Sequence, residues 1–127
     1  MILKLTLKRK WFDMILSGQK VTEYRELKTY WVKRLFDYRA VNKTPESFLE
    51  ALMAKHYYLF LYTNKITQVR FYDGGCFSEK LPHFTVQYTG LQIGKGIEDW
   101  GAEKGKDYFC ISFRNVHDCV NCCQLLN

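Results

Sequence analysis

LSGQKVTEYRE, residues 16–26, joins the end of a predicted helix to the start of a predicted strand. Gly18 is the type of residue that ends a helix in the left-handed conformation. The β-branched and aromatic residues that follow favour a strand. Charged side chains at Lys20, Glu23 and Arg25 are unusual on such an early strand, so they decide how the rest of the chain is interpreted.

Strand alternation sorts these side chains by direction. Glu23 and Arg25 should face one side of the strand, and Lys20 and Tyr24 the other. If Lys20 lies in the turn after Gly18, its flexible stem can reach either side. One interpretation is a polar pocket that binds a phosphate, carbonyl or amine group. The other is a solvated strand face, with a Glu23–Arg25 pair contributing well under about 1 kcal/mol.

Hydrophobic periodicity predicts helices early in the chain and strands mostly late. Residues 2–7 alternate as a half-buried strand, and residues 57–63 form a short apolar run typical of a central strand. Thr29 and Thr44 are the predicted N-caps of the second and third helices. The remaining strands are predicted at 20–27, 68–72, 83–94 and 107–113, and the first helix at 9–17. This order predicts an α+β domain on an antiparallel or mixed, barrel-like sheet with about three helices.

The positive charge is concentrated in the first third of the chain. The net charge is +6, and residues 1–39 hold ten Lys or Arg against four acids. From residue 40 onward there are nine of each. A local basic surface is typical of proteins with a polyanionic partner, RNA or DNA first, although many basic domains bind nothing acidic.

Cysteine usage and hydropathy bear on the compartment. Five cysteines without a secretory signal indicate reduced thiols. No apolar run approaches the roughly 18 residues of a membrane helix. We therefore expect a cytoplasmic protein without membrane association and without a cofactor. The HDCVNCC segment, residues 117–123, holds potential zinc ligands, but its cramped spacing favours an inert C-terminal tail, so no metal is expected.

The central segment resembles a known signature. GQKVTEYR is similar to the G-x-K-x-x-E-x-R motif of the ASCH domain (activating-signal-cointegrator homology), a branch of the PUA-like superfamily, at Gly18, Lys20, Glu23 and Arg25. VRFYDGG resembles the F-x-N-G-Y turn of small bacterial and phage members. GLQIGKGIEDWGAEKGKDYFCISF is similar to their closing segment. The resemblance covers residues 1–115, which are the predicted domain, and residues 116–127 are the predicted tail.

The resemblance implies a small PUA-like β-barrel with helices packed around its mouth, and a basic cleft that binds RNA or a modified nucleotide. Lys20, Glu23 and Arg25 would line that cleft. Arg25 would contact a phosphate or base edge, Lys20 a phosphate or carbonyl, and Glu23 an amine. Further binding residues are predicted beside the signature, near the Gly-Gly turn and at the end of the first strand: Tyr24, Arg70, Tyr72, Asp73, Lys8 and Arg9.

Two other functions stay open. One bacterial branch of the family hydrolyses the acetyl amide of N4-acetylcytidine with the signature lysine and a threonine, and another related protein is a ribonuclease. Here Glu23 stands at the position of that threonine, and Thr22 lies one residue earlier on the opposite strand face. A hydrolase would use Lys20 and Glu23 as its catalytic acid–base pair. The second alternative is a protein-interaction module with a basic face.

Overall fold

The computed structural model describes residues 1–122, which form an α+β structure. Among these residues, no helix is both long enough and apolar enough to cross a membrane. Three short 3-10 helices cover Tyr38–Val41, Tyr57–Tyr62 and Glu98–Trp100. The α-helices are α1 (Arg9–Leu16), α2 (Thr29–Leu35) and α3 (Pro45–Met53), and the strands are β1 (Ile2–Leu7), β2 (Thr22–Glu26), β3 (Gln68–Asp73), β4 (His83–Lys95) and β5 (Asp107–Val120).

The five strands form one mixed sheet in the order β1-β3-β4-β5-β2. β1 and β3 are parallel, and the other three neighbouring pairs are antiparallel. The α+β prediction is therefore confirmed. β1 and β2 are the two edges, and within residues 1–122 no backbone pairing joins them, so the sheet is open and the predicted barrel is not confirmed.

The first two elements follow their sequence patterns. In β1, Leu3, Leu5 and Leu7 are buried while the residues between them are partly exposed. In α1, Phe12 and Ile15 face the same core one turn apart. The helix ends before Gly18, whose φ of +84° is accessible to glycine at little cost. This turn delivers the chain directly into β2.

The predicted caps of α2 and α3 have different outcomes. Thr44 Oγ1 accepts a hydrogen bond from the Ser47 amide at 3.1 Å, and the Ser47 hydroxyl oxygen accepts one from the Thr44 amide at 3.0 Å, so the α3 cap is confirmed. Thr29 is instead the first helical residue of α2. Lys28 holds the cap position there, with no side-chain capping bond.

The central strand predicted at residues 57–63 is wrong. The segment Tyr57–Tyr62 is a 3-10 helix, in which Leu59 is fully buried while Tyr58 and Leu61 are exposed. An apolar run alone does not separate a buried strand from a short helix. This one presents only part of its surface to the core, whereas a central strand is covered on both faces.

The late strands occupy the predicted segments and extend beyond them. In β3, Val69 and Phe71 are buried as the alternation predicts. β5 continues through Val120, where it pairs with His83 of β4, so residues 116–120 are a continuation of that strand. The domain boundary at residue 115 stays a prediction. Cys123, part of the predicted tail, lies outside the described residues.

The free edge of β1 carries carbonyl groups without a neighbouring strand. The carbonyls of Met1 and Leu7 accept hydrogen bonds on the β3 side. Because carbonyl direction alternates along a strand, those of Lys4 and Thr6 face the opposite edge. That edge is the one nearest β2, since a β2 side chain reaches it.

Two arginines bind these edge carbonyls. Arg25 of β2 donates to the Thr6 carbonyl at 3.0 Å, and Arg34 of α2 donates to the Lys4 carbonyl at 2.7 Å. The Trp31 ring contacts both guanidinium groups, with its centroid 5.0 Å from Arg25 and 5.5 Å from Arg34. Side chains therefore hold β1, β2 and α2 together where the backbone ladder stops.

Close packing around Gly96 gives a test of how the loop after β4 is held. A Cβ atom at Gly96 would collide with Ala102 and lie 2.9 Å from the Tyr24 ring. We expect Gly96→Ala to lower the free energy of unfolding by about 1–3 kcal/mol through overpacking. Urea denaturation measures the loss.

Gly94→Ala is the matched control, because a Cβ there meets nothing within 4 Å. We expect it to be neutral or slightly stabilising, since glycine inside a strand is less favourable than alanine. Equal unfolding midpoints for the two variants would contradict the packing of this loop on Tyr24.

Candidate functional site

The turn between α1 and β2 positions Lys20. Its backbone amide donates to the Met14 carbonyl at 3.0 Å, which ties the turn to the last part of α1. Lys20 precedes β2, which begins at Thr22, so it is outside the strand's alternation. Its stem can therefore bring the ammonium group to the side occupied by Glu23, the possibility that the sequence leaves open.

Lys20, Glu23 and Arg25 form one ion-paired network. Lys20 Nζ lies 2.7 Å from Glu23 Oε1, and Arg25 Nη2 lies 2.8 Å from Glu23 Oε2. Each carboxylate oxygen thus accepts from a different cation. The exposed fractions of the Lys20 and Glu23 side chains are only 1% and 8%, so both charges are stabilised mainly by each other and not by water.

The Lys20 ammonium is enclosed on several sides. It donates to the Trp100 carbonyl at 2.7 Å and lies 4.9 Å and 5.4 Å from the ring centroids of Trp11 and Tyr24. Burial lowers the pKa of Lys20, with a smaller contribution from Arg25, while the Glu23 carboxylate partly offsets the shift. Lys20 is therefore easier to deprotonate than an ordinary lysine.

Arg25 combines a structural and a solvent-facing role. Its Nη2 group donates to both Glu23 and Thr6, which uses both protons of that nitrogen. Its Nε is buried and has no hydrogen-bond partner within residues 1–122. The side chain is 18% exposed, more than Lys20 or Glu23. Arg25 is thus the member of the network best placed to contact a ligand.

A cleft of about 240 Å³ opens above this network. Its charged lining residues are Lys8, Lys20, Glu23 and Arg25, which give a formal excess of two positive charges. The rest of its lining is mostly aromatic or main chain: Trp11, Tyr24, Trp100, Tyr108, Gly101, Thr6 and Leu7. Cationic and aromatic groups therefore meet in one concave site.

Tyr24 is fixed at one wall of the cleft. Its hydroxyl accepts from the Ile97 amide at 3.0 Å, and its ring lies 5.7 Å from that of Tyr108. Partial burial raises the pKa of Tyr24. The ring is thus held by the segment after β4 and stays partly accessible from the cleft.

Lys8, Arg9 and Asp73 meet beside this site. Lys8 lines the cleft and also a neighbouring one, in which Arg9 and Asp73 take part. Arg9 Nη1 lies 3.3 Å from Asp73 Oδ2, and Arg9 Nε lies 3.0 Å from Asp13. The parallel pairing of β1 and β3 causes this meeting, because it places Leu7 opposite Asp73.

Arg70 and Tyr72 lie away from both clefts. Arg70 Nε donates to the Thr85 hydroxyl at 3.1 Å on the neighbouring strand. Tyr72 is fully buried, and its ring stacks on His83 with the centroids 4.9 Å apart while its hydroxyl donates to Glu79. A ring in this position has no face left for a nucleotide base. The structure therefore does not bring the predicted stacking residue Tyr72 to the site.

Sequence reasoning missed several parts of the cleft. Trp11 packs against the core, as its helical spacing indicates, but it also forms part of the cleft wall, which that spacing does not indicate. The Trp100 and Thr6 contacts use backbone carbonyls, which carry no side-chain signal. Only the Trp-Gly turn at residues 100–101, part of the family resemblance, pointed to this region.

The cysteines do not assemble a metal centre within the part of the chain described here. Cys76 and Cys119 are exposed, Cys110 and Cys122 are buried, and all four are free thiols. Among residues 1–122, no group of three or more His, Cys, Asp or Glu side chains is arranged to hold a metal ion.

The network predicts a large effect for an isosteric change at its centre. Glu23→Gln removes the carboxylate and leaves Lys20 buried without its counter-ion. We expect a loss of about 3 kcal/mol or more in the free energy of unfolding, measured by urea denaturation at pH 7.

Glu26→Gln is the control for this prediction. Glu26 also pairs with two cations, Lys28 at 3.3 Å and Lys106 at 3.4 Å, but these pairs are at the surface. Its replacement should leave the unfolding midpoint nearly unchanged. Similar losses from both variants would show that the buried position of Glu23 has no special importance.

Comparisons with known proteins identify no relative of the chain. No protein-family model matches the chain, and neither curated proteins nor solved structures give a significant match. The ASCH resemblance therefore rests on the motif residues themselves and stays a prediction. Function has to be inferred from the cleft and from the network beneath it.

Proposed function

We propose that this chain is an ASCH-type, PUA-like domain that binds RNA or a modified nucleotide in the cleft above Lys20, Glu23 and Arg25. The observation that carries the proposal is the meeting of positive charge and aromatic rings in one concave site. The approach of Arg25 on β2 to Thr6 on β1 is compatible with a sheet that curls as in PUA-like barrels. The free cysteines fit the reducing cytoplasm, where we place the protein.

Different lining residues of the cleft suit different chemical groups of the proposed ligand. Trp11 and Tyr24 supply ring surface for a base, and base–aromatic stacking is largely independent of sequence. Arg25 and Lys8 supply donors for phosphate or carbonyl oxygens. Glu23 is already bonded to two cations, so it is proposed to hold these cations in place and not to read an amine.

The size of the cleft limits what enters it. Pockets that enclose drug-sized ligands have volumes of roughly 300–1,000 Å³. A volume of about 240 Å³ suits one base or a nucleoside-sized group. The proposed ligand therefore inserts one unstacked base, the form in which single-stranded RNA is usually read.

Lys8 gives a test of this proposal that spares the fold, because its side chain is exposed and outside the buried network. We expect Lys8→Ala to weaken binding of a fluorescein-labelled single-stranded RNA of about ten nucleotides roughly fivefold. Loss of one phosphate contact should also reduce the slope of log affinity against log salt by about 0.7. Fluorescence anisotropy at several salt concentrations measures both effects.

Lys65→Ala is the matched control. Lys65 is also exposed, but it precedes the Gln68 end of β3, which lies opposite the end of the sheet next to Lys8. Its removal should leave the slope and the affinity close to wild type. If the wild-type protein fails to bind RNA at low salt, the proposal is wrong and the protein-interaction alternative gains support.

The lowered pKa of Lys20 favours a second candidate, a hydrolase acting on a nucleoside amide such as N4-acetylcytidine. A neutral Lys20 would accept a proton from the attacking water and return it to the departing N4 amine, giving acetate and cytidine. Perturbed lysines in clefts are typical of such roles. Ion-pair networks also perturb lysine pKa values, so binding remains the first proposal.

Turnover separates the two candidates. A hydrolase should release acetate from N4-acetylcytidine at a rate that rises with pH, because the neutral lysine is the active form. The midpoint should lie below 10.5, the ordinary lysine value, since burial lowers the pKa of Lys20. Lys20→Met should abolish release. Chromatography of the products gives the measurement, and absence of acetate at every pH rejects this candidate.

A further inference from the structure

A second cleft adjoins the first and continues it. It has a volume of about 380 Å³ and shares Thr6, Leu7 and Lys8 with the first cleft. Its far wall is Asp73 followed by Gly74 and Gly75, which have no side chains to fill the space. A ligand longer than one base can therefore extend past Lys8 from the first cleft into the second.

Asp73 has hydrogen-bonding capacity left in this second cleft. Its Oδ2 accepts from Arg9 at 3.3 Å, while no described residue donates to its Oδ1. Arg9 is divided between two carboxylates, because it also donates to both oxygens of Asp13 at 3.0 and 3.2 Å. Asp73 is thus oriented by Arg9 and still able to accept a further hydrogen bond.

The chemistry of the second cleft differs from that of the first. Among residues 1–122, no aromatic side chain lines it, so it offers no surface for stacking a base. Its polar side chains are the Asp73 carboxylate, which accepts, the Lys8 and Arg9 cations, which donate, and the Thr6 hydroxyl. A ribose hydroxyl beside a phosphate has the complementary pattern, and the 2′-hydroxyl is the group that distinguishes RNA from DNA.

We propose that the second cleft binds the ribose and phosphate of the nucleotide next to the base held in the first cleft. Asp73 accepts a hydrogen bond from the 2′-hydroxyl, and Lys8 pairs with the connecting phosphate. The ligand is accordingly single-stranded RNA, not DNA or a free nucleoside. This inference rests on the proposed function of the first cleft and defines the class of ligand that it takes.

The test compares RNA and DNA oligonucleotides of the same sequence, about ten nucleotides long, by fluorescence anisotropy. The wild-type protein should bind the RNA about fivefold more tightly, as expected for one hydrogen bond. In Asp73→Ala the ratio of the two affinities should fall to about one. The ratio is the readout because removing a negative charge strengthens binding of both oligonucleotides alike. Cytidine monophosphate should compete only at concentrations more than about a hundredfold higher.

Asp73→Ala also frees Arg9 from one of its two carboxylate partners, and Asp13→Ala is the control for that effect. This substitution removes the other carboxylate partner of Arg9, and Asp13 does not line the second cleft. It should keep the wild-type preference for RNA. Circular dichroism of both variants verifies that they are folded.

The outcomes separate the two proposals. Equal wild-type affinities for RNA and DNA, both weakened by Lys8→Ala, would overturn the ribose site and leave the first cleft as a nucleic-acid site. An unchanged preference in Asp73→Ala would also overturn the role of Asp73. Failure to bind either oligonucleotide would overturn both proposals.

Discussion

The buried carboxylate of Glu23 holds together the parts of the chain that form the site. It accepts from Lys20, which in turn donates to the Trp100 carbonyl, and from Arg25, which donates to the Thr6 carbonyl. Through these bonds the turn after α1, β2, β1 and the 3-10 helix before β5 meet at one point. A buried lysine is tolerated only when it is paired, so the position of Lys20 depends on Glu23. The signature residues are therefore part of the framework as much as of the cleft.

Burial divides the roles within the network. Lys20 and Glu23 are nearly inaccessible, whereas Arg25 is partly exposed and Lys8 is exposed. The inner pair sets the geometry, and its two charges cancel in the formal sum, so the net positive charge of the cleft comes from Arg25 and Lys8. The outer cations are free to exchange water for a ligand. The site thus combines a buried base with more accessible contacts around it.

Local sequence patterns predicted the strands and helices well. They predicted the surroundings of individual side chains less well. The alternation of β1 and the Thr44 cap depend on neighbouring residues, and both could be read from the sequence. Tyr72 shares an outward direction with Arg70, yet the loop after β3 covers it. The strand prediction at residues 57–63 was wrong for a related reason. Whether a segment is buried on both faces depends on distant parts of the chain. Strand alternation alone put Lys20 on the side opposite Glu23 and Arg25, so the expectation of a shared cleft came from the family resemblance, and neither predicted the carbonyl partners.

The guanidinium groups on the free edge of β1 have a consequence for how the protein behaves at high concentration. An exposed strand edge is a template for pairing with another molecule and hence for aggregation. Arg25 and Arg34 occupy the outward carbonyls of Thr6 and Lys4, and the Trp31 ring covers the space between them. Another chain could add a strand here only by displacing two charge-assisted hydrogen bonds. Arg25, which also lines the cleft, and Arg34 therefore protect the edge of β1 from pairing with a strand of a second chain.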